Sequence, residues 1–360
     1  MALSASRMHA SRVTCSYSVE KIPAGTSKFL NRGKEVPRIG IGLAALGRPG
    51  YINLGHGNDM VGTDVDKMRA HTWETLDAAY NAGVRYFDAA RSYGKSEEFL
   101  SGWLESRGHD PSELLVGSKW GYYYTAEWRV DNGDQPHEVK EHTYKNLANQ
   151  TAESDGLLGG FIDLYQIHSA TKESGVLENE DVLEELAKLK ADKGWRIGLT
   201  LSGVQQGALL KAAMEVKCAN GSPHFDCVQA TWNLLEQSAG DSLLAAHNTG
   251  MKVIVKEAMA NGRLTPRNGN PNFAVKLQKL EEVASQLDTT VDALALACVL
   301  AQPFNAMVLS GAACSEHLES NYKALKVLER LDAATVMDLM TTCCMDPTEY
   351  WNERSALAWN

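Results

Sequence analysis

VRYFDAARSYGKSEEFLSGWL, residues 84–104, holds the unit that the rest of the chain repeats. Its opening run VRYFD (84–88) is mostly apolar and aromatic up to a terminal acid, as in a short strand covered on both faces. Just upstream, Met68, Thr72, Leu76 and Tyr80 share one stripe of a helix, and Gly83 stands where a C-capping glycine would. A helix feeding a buried strand is half of a βαβ unit.

Seven further runs have the same character: RIGIGL (38–43), LLVGSK (114–119), DLYQIH (163–168), RIGLTL (196–201), FDCVQA (225–230), KVIVKE (252–257) and AMVLSG (306–311). Helical patterns separate them, among them Val182, Leu183, Leu186 and Leu189 closed by Gly194, and residues 240–249 stopped by Gly250. Such alternation implies parallel strands joined by right-handed crossovers. Eight units in roughly 300 residues fit an α/β fold, the closed (β/α)8 TIM barrel, better than an open doubly wound sheet.

No Gly/Ser-rich or Pro-rich linker divides the chain, so one domain is expected. Its expected limits are 28–345, after a flexible N-terminal segment (1–27) and before a C-terminal tail (346–360). Residues 28–37, centred on Asn31-Arg32-Gly33, read as an N-terminal hairpin. RPGYINLGHGNDMVGTD (48–64) is a long glycine-rich loop of a size that is either functional or disordered. The tail, with Trp351 and Trp359, is expected to fold over a barrel mouth.

Composition narrows the function. With 35 basic and 45 acidic residues the net charge is −10, and no Lys/Arg stripe offers a phosphate-backbone footprint, so no nucleic-acid partner is expected. No apolar run approaches the roughly 18 residues that cross a bilayer, so no membrane partner is expected either. The 7 cysteines are scattered without zinc-site spacing, which suits a reducing compartment and predicts no metal. The first 19 residues carry Arg7, Arg12, several serines and no acid. A cytoplasmic location is expected, with plastid or mitochondrion as the alternative if residues 1–20 act as a transit segment. Nothing in the sequence speaks to oligomeric state.

In a barrel the active site lies at the carboxyl ends of the strands. Those ends place Asp88 on the second strand, Lys119 on the third and His168 on the fourth, with Tyr93 in the loop above Asp88. Carbonyl reduction needs a hydride at carbon and a proton at oxygen. A tyrosine is a weak acid at neutral pH unless a nearby ammonium lowers its pKa; a carboxylate can fix that ammonium and an imidazole can orient the carbonyl. Each residue also has a structural reading: a turn cap, an ion pair, a packed ring or a core histidine. Only their joint placement argues for chemistry. After Lys119, WGYYYTAEW (120–128) brings Trp120 and Tyr122 as candidates for lining a substrate pocket.

FDAARSYGKSEEFLSGWL (87–104), GSKWG (117–121) and DLYQIHSA (163–170) resemble, in order and spacing, the aspartate–tyrosine, lysine and histidine segments of the aldo-keto reductase family. The resemblance runs from about residue 28 to 330. It implies Tyr93 as general acid/base, tuned by Lys119 and Asp88, with His168 orienting the carbonyl of a small aldehyde, ketone or sugar. It also implies a nicotinamide cofactor, NADP(H) favoured and NAD(H) possible. Ser202 and Gln229 match family residues that hold the nicotinamide amide, while Gly203 replaces the usual asparagine. In VIVKEAMANGRL (253–264), Lys256 replaces the stacking aromatic, and Met259 lies in the same cofactor segment. SGAACSEHLESN (310–321) resembles the adenosine-phosphate segment, through Gly311, His317 and Asn321, with Arg263 or Arg267 as further candidate cations. Gly203 and Lys256 also suit a second reading, a nucleotide-binding regulatory or structural barrel subunit with little turnover, which the β subunits of voltage-gated potassium channels resemble.

Overall fold

The computed structural model describes residues 15–31 and 34–360. Most of the stretch read as a flexible or transit segment (residues 1–14), together with Arg32 and Gly33 of the expected hairpin turn, lies outside the described residues.

All eight expected strands are present, each within two residues of its expected bounds. They are β1 (Ile39–Gly42), β2 (Tyr86–Asp88), β3 (Leu115–Trp120), β4 (Ile162–Ile167), β5 (Arg196–Thr200), β6 (Cys227–Thr231), β7 (Lys252–Lys256) and β8 (Met307–Ser310). They close in chain order into one barrel, every neighbouring pair parallel. The anticipated helices follow, including Val65–Asn81, which buries Met68, Thr72 and Leu76, and Glu180–Asp192, which buries Val182, Leu186 and Leu189. Among the described residues, no single helix is long and apolar enough to cross a membrane.

The pleat sorts each strand into two cores. Ile39, Ile41, Phe87, Val116, Tyr165, Ile197, Val228, Val253 and Val308 point outward and form one cluster with the helices. Tyr86, Leu115, Leu164, Cys227, Ile254, Met307 and Leu309 point inward and form a second, closed from below by Phe29, Leu30 and Val36. Those last three belong to the N-terminal hairpin, whose paired strands are only Thr26–Ser27 and Val36–Pro37. The hairpin therefore begins two residues before the expected start of the domain. Residues 15–25 also lie against the barrel: Val19 sits in the main core and the Tyr17 hydroxyl donates to Gln302 Oε1 at 2.8 Å.

Above the inner apolar layer the same inward positions turn polar: Asp88, Lys119, Gln166, Gln229 and Lys256. Strand register aligns them, with Asp88 beside Gly117, Lys119 beside Gln166 and Thr231 beside Lys256. The carboxyl end of the barrel is thus a charged cup on an apolar floor. The tail covers it as expected, now as a helix, Pro347–Ser355, followed by Leu357 and Trp359.

Candidate active site

A cavity of about 400 Å³ opens at the carboxyl ends of the strands. Asp88, Tyr93, Tyr122, His168, Ser202, Gln229, Lys256, Met259 and Gly311 all line it. Lys119 lies just beneath, fully buried, donating to Asp88 Oδ2 at 2.5 Å and to the Ala89 carbonyl at 2.8 Å. The other carboxylate oxygen accepts from Tyr86 Oη at 2.9 Å and Gln229 Nε2 at 3.2 Å, with Gln166 Nε2 at 3.4 Å. A charge pair removed from water persists only when its remaining lone pairs are satisfied, and Asp88 meets that condition.

The Tyr93 hydroxyl lies 3.3 Å from His168 Nε2, and the Lys119 ammonium lies 4.7 Å from the Tyr93 ring centre. Ser92 Oγ is 3.3 Å from His168 Nδ1. Burial, followed by the charges of Lys119, Lys256 and Arg48, pushes the His168 pKa well below its ordinary value, so the ring is neutral at pH 7. Tyr93 corrects an expectation. Its pKa is pushed up, first by burial and then by the Asp88 and Glu138 charges, with Arg48 opposing. The physical reason is that Lys119 is already committed to Asp88 and Ala89, which leaves the phenol to the penalty of burial.

Sequence reasoning missed Arg48, Glu138 and Arg354, which line the cavity beside the expected Lys256. Arg48, 1% exposed, pairs with Glu138 at 2.8 Å. Its guanidinium carbon lies 4.7 Å from the Trp359 ring centre, 5.0 Å from that of Tyr51 and 5.1 Å from that of Tyr93. At the end of β7, Lys256 donates to Ser202 Oγ at 2.9 Å and Thr231 Oγ1 at 3.0 Å. Burial, reinforced by Arg354 and Lys119, lowers its pKa to about 8 despite Glu257. Arg354, from the tail, grips Glu257 at 2.6 Å. Burial would raise the Glu257 pKa, but Arg354 and Lys256 outweigh it and hold it at about 2.

Trp120 does not line the cavity. Successive strand residues face opposite sides, so an inward Lys119 forces Trp120 outward into the helix-facing core. Gly121, with φ at 112°, then turns the chain into a small hairpin, Tyr122–Tyr124 against Glu138–Lys140, which brings Tyr122 back to within 5.0 Å of His168, ring centre to ring centre. His317 and Asn321 lie off the cavity. Asn321 is buried and donates to Ser310 Oγ at 2.9 Å. His317 Nε2 is 3.0 Å from Arg267, which itself grips Asp59 of the glycine-rich loop at 2.6 and 2.7 Å. Arg263 is buried under the tail, 3.3 Å from Glu353.

The fold and this site define a barrel oxidoreductase. The profile of the aldo/keto reductase family matches residues 38–340, and the chain belongs to that family. It is thus an NAD(P)-dependent oxidoreductase of a family that acts on small carbonyl compounds. It is similar to an uncharacterised oxidoreductase of Bacillus subtilis (strain 168), 24% identical over 292 residues covering 75% of this chain and 86% of the relative. A D-threo-aldose 1-dehydrogenase of a Pseudomonas species is 27% identical over 242 residues, covering 62% and 68%. The holo form of an aldo-keto reductase from Bacillus halodurans shares the fold, with a TM-score of 0.64 at 17% identity over 89% of this chain and 96% of that one.

Proposed function

We propose that the chain reduces, or reversibly oxidises, the carbonyl of a small aldehyde, ketone or sugar, with Tyr93 as general acid/base and NADP(H) bound in preference to NAD(H). The observation that carries this reading is the convergence on one cavity of the Tyr93 hydroxyl, a neutral imidazole 3.3 Å from it and a buried Lys119–Asp88 pair.

The donor set fits a nicotinamide dinucleotide. The Ser202 hydroxyl, just past β5, and the Gln229 amide, within β6, line the cavity, where they suit a carboxamide. Gly311 leaves its backbone open, since an added Cβ would meet nothing closer than Asn53 Nδ2 at 3.8 Å. Arg267 and His317 stand at the start of the helix Ser315–Tyr322, where an adenosine phosphate would find the Arg267 guanidinium and a helix N-terminus. When bound, the nicotinamide supplies the hydride.

The chain's own residues handle the proton and the oxygen. Tyr93 keeps its proton in the buried site, which is the state an acid needs, and passes it to the carbonyl oxygen as charge develops there. With Ser92 Oγ donating to Nδ1, His168 carries its hydrogen on Nε2 and donates it to the same oxygen. Arg48, whose charge opposes the rise of the Tyr93 pKa, stabilises the phenolate left behind, and Lys119 lies 4.7 Å from the ring centre. Asp88 keeps the ammonium in place.

The test is cofactor oxidation with a panel of aldehydes in the wild type and in Tyr93→Phe. The variant is expected to lose about 10²- to 10⁴-fold in kcat/KM, with its cofactor dissociation constant within threefold of wild type. Undiminished turnover in Tyr93→Phe would move the acid elsewhere. Cofactor binding without turnover of any carbonyl in the wild type would favour the regulatory or structural subunit.

A further inference from the structure

Four cations line the cavity: Arg48, Lys140, Lys256 and Arg354. Three have a carboxylate within ion-pair distance. Arg48 holds Glu138 at 2.8 Å, Arg354 holds Glu257 at 2.6 Å, and Lys256 reaches Glu257 at 3.8 Å besides its two hydroxyl partners. Lys140 differs. Among the described residues, its hydrogen-bond partner is the Thr171 hydroxyl at 3.4 Å, and it lies 5.5 Å above the centre of the Tyr122 ring. The acid that acts on it, Glu173, does so from beyond ion-pair distance.

Backbone geometry aims Lys140 inward. It is the last residue of the strand Glu138–Lys140, directly opposite Tyr122 in the antiparallel register. Glu138 and Lys140, two residues apart, both face the cavity, whereas Val139 between them is 43% exposed on the other side. Lys140 is half-buried, so its ammonium has given up part of its hydration without a carboxylate at ion-pair distance among the described residues. Ser169 and Thr171 add hydroxyls to the same wall. The Tyr122 ring between them touches His168, which touches Tyr93. A cationic, hydroxyl-lined end therefore sits one aromatic ring away from the proposed reacting oxygen.

Building on the proposed reductase reading, we propose that the substrate is a carbonyl compound carrying an anionic group, a carboxylate or a phosphate, which Lys140 receives while the carbonyl lies between Tyr93 and His168. A charge-assisted hydrogen bond in this half-buried place gives the Lys140 ammonium a partner of opposite charge and fixes the orientation of the carbonyl. Discrimination against a neutral isostere follows, because that isostere leaves the ammonium desolvated and unpaired.

Matched substrate pairs test this. 4-Carboxybenzaldehyde is compared with 4-methylbenzaldehyde for the carboxylate, and glyceraldehyde 3-phosphate with glyceraldehyde for the phosphate, in the wild type, Lys140→Met, Lys140→Arg and Lys172→Met. The wild type is expected to prefer the anionic member of at least one pair by about ten- to hundredfold in kcat/KM. Lys140→Met should bring that ratio close to one, Lys140→Arg should keep most of it, and Lys172→Met, at an exposed lysine outside the cavity, should not change it. A second readout needs no turnover: quenching of tryptophan fluorescence by 4-carboxybenzyl alcohol against 4-methylbenzyl alcohol, with Trp359 in the cavity wall as reporter. If no aldehyde is reduced, the reductase reading fails, and this binding ratio still decides the role of Lys140. No preference in either pair or between the two alcohols overturns the proposal. So does a preference that survives Lys140→Met, or one lost equally in Lys172→Met.

Discussion

At the scale of single residues, the site separates two titrating rings by environment. Tyr93 is half-buried and His168 buried, and loss of water disfavours the charged form of each: it raises the phenol and lowers the imidazole. Lys119, Lys256 and Arg48 push His168 further in the same direction, since each resists a second positive charge. The sign of the pH effect follows. An imidazole with a depressed pKa stays neutral as pH falls through its ordinary value near 6.5, so in the proposed reaction it would go on donating from Nε2 without becoming a competing acid. The profile of kcat/KM for reduction is therefore expected to show no acidic limb between pH 7 and pH 5.5. A limb centred near 6.5 would show that His168 titrates normally. Asp88, Lys119 and His168 were legible in sequence because strand pleating ties each to a fixed end and face. Arg48 and Glu138, whose charges also act on Tyr93, were not. They sit where no periodicity marks which side chains turn inward, and Arg48 reads simply as the first residue of a glycine-rich loop. Trp120 shows the same rule ignored: its place directly after an inward lysine already excluded it from the pocket.

At the scale of elements, loops position what the strands cannot reach. Tyr93 is held by the close approach of two backbone segments. Lys95 N donates to the Gly47 carbonyl at 2.7 Å, and a Cβ built on Gly47 would come within 2.2 Å of the Tyr93 carbonyl oxygen. Gly47→Ala must therefore displace the loop that carries the proposed acid. A loss of about 10²-fold in kcat/KM is expected with the circular dichroism of the barrel retained, because misplacement by an ångström is costly in catalysis. An unchanged rate would mean that the loop tolerates the shift. The tail helix is fixed by a different force. Glu257 has a folded-state pKa of about 2 against an ordinary 4.5, so its contribution to stability is present above 4.5 and is lost as pH falls through 2. In that window the unfolded chain takes up a proton that the Arg354-bound carboxylate refuses. Urea unfolding of wild type should weaken from pH 5 to pH 2 more steeply than that of Glu257→Gln; parallel curves would deny the coupling. The eight barrel strands could be placed from sequence because both faces are covered and their apolar runs are nearly continuous. The hairpin Tyr122–Tyr124 with Glu138–Lys140 escaped, since 13 residues separate two strands of three and neither carries an alternating pattern.

At the scale of the whole molecule, three distant segments meet where the adenosine end of the cofactor is expected. Asp59 comes from the loop after β1, Arg267 from the loop after β7 and His317 from the helix after β8. The sequence suggested Arg267 as a cation that could reach a 2′-phosphate, and the fold puts it 3.0 Å from His317 at that helix start. It also shows what Arg267 must give up, a two-pronged hydrogen-bonded pair with Asp59. A phosphate offers Arg267 nearly two negative charges where Asp59 offers one, but it must displace or share that partner. Charge-assisted bonds of this kind are worth about 1.5–3 kcal/mol, so an unopposed Arg267 would favour NADPH over NADH by roughly ten- to hundredfold. Competition from Asp59 should reduce that margin in the wild type. Removing the competitor should restore it, so Asp59→Asn is expected to tighten NADPH severalfold while leaving NADH within twofold. Arg267→Ala should weaken NADPH by about tenfold, again with little effect on NADH. Dissociation constants for both cofactors, from fluorescence titration of the three proteins at low and moderate salt, decide between outcomes, and the NADPH margin should shrink as salt rises because Arg267 is partly exposed. Equal weakening of both cofactors in Arg267→Ala would instead make the Arg267–Asp59 pair a strap over the pyrophosphate they share. Tighter NADH than NADPH in every protein would mean that Asp59 repels the 2′-phosphate more than Arg267 attracts it.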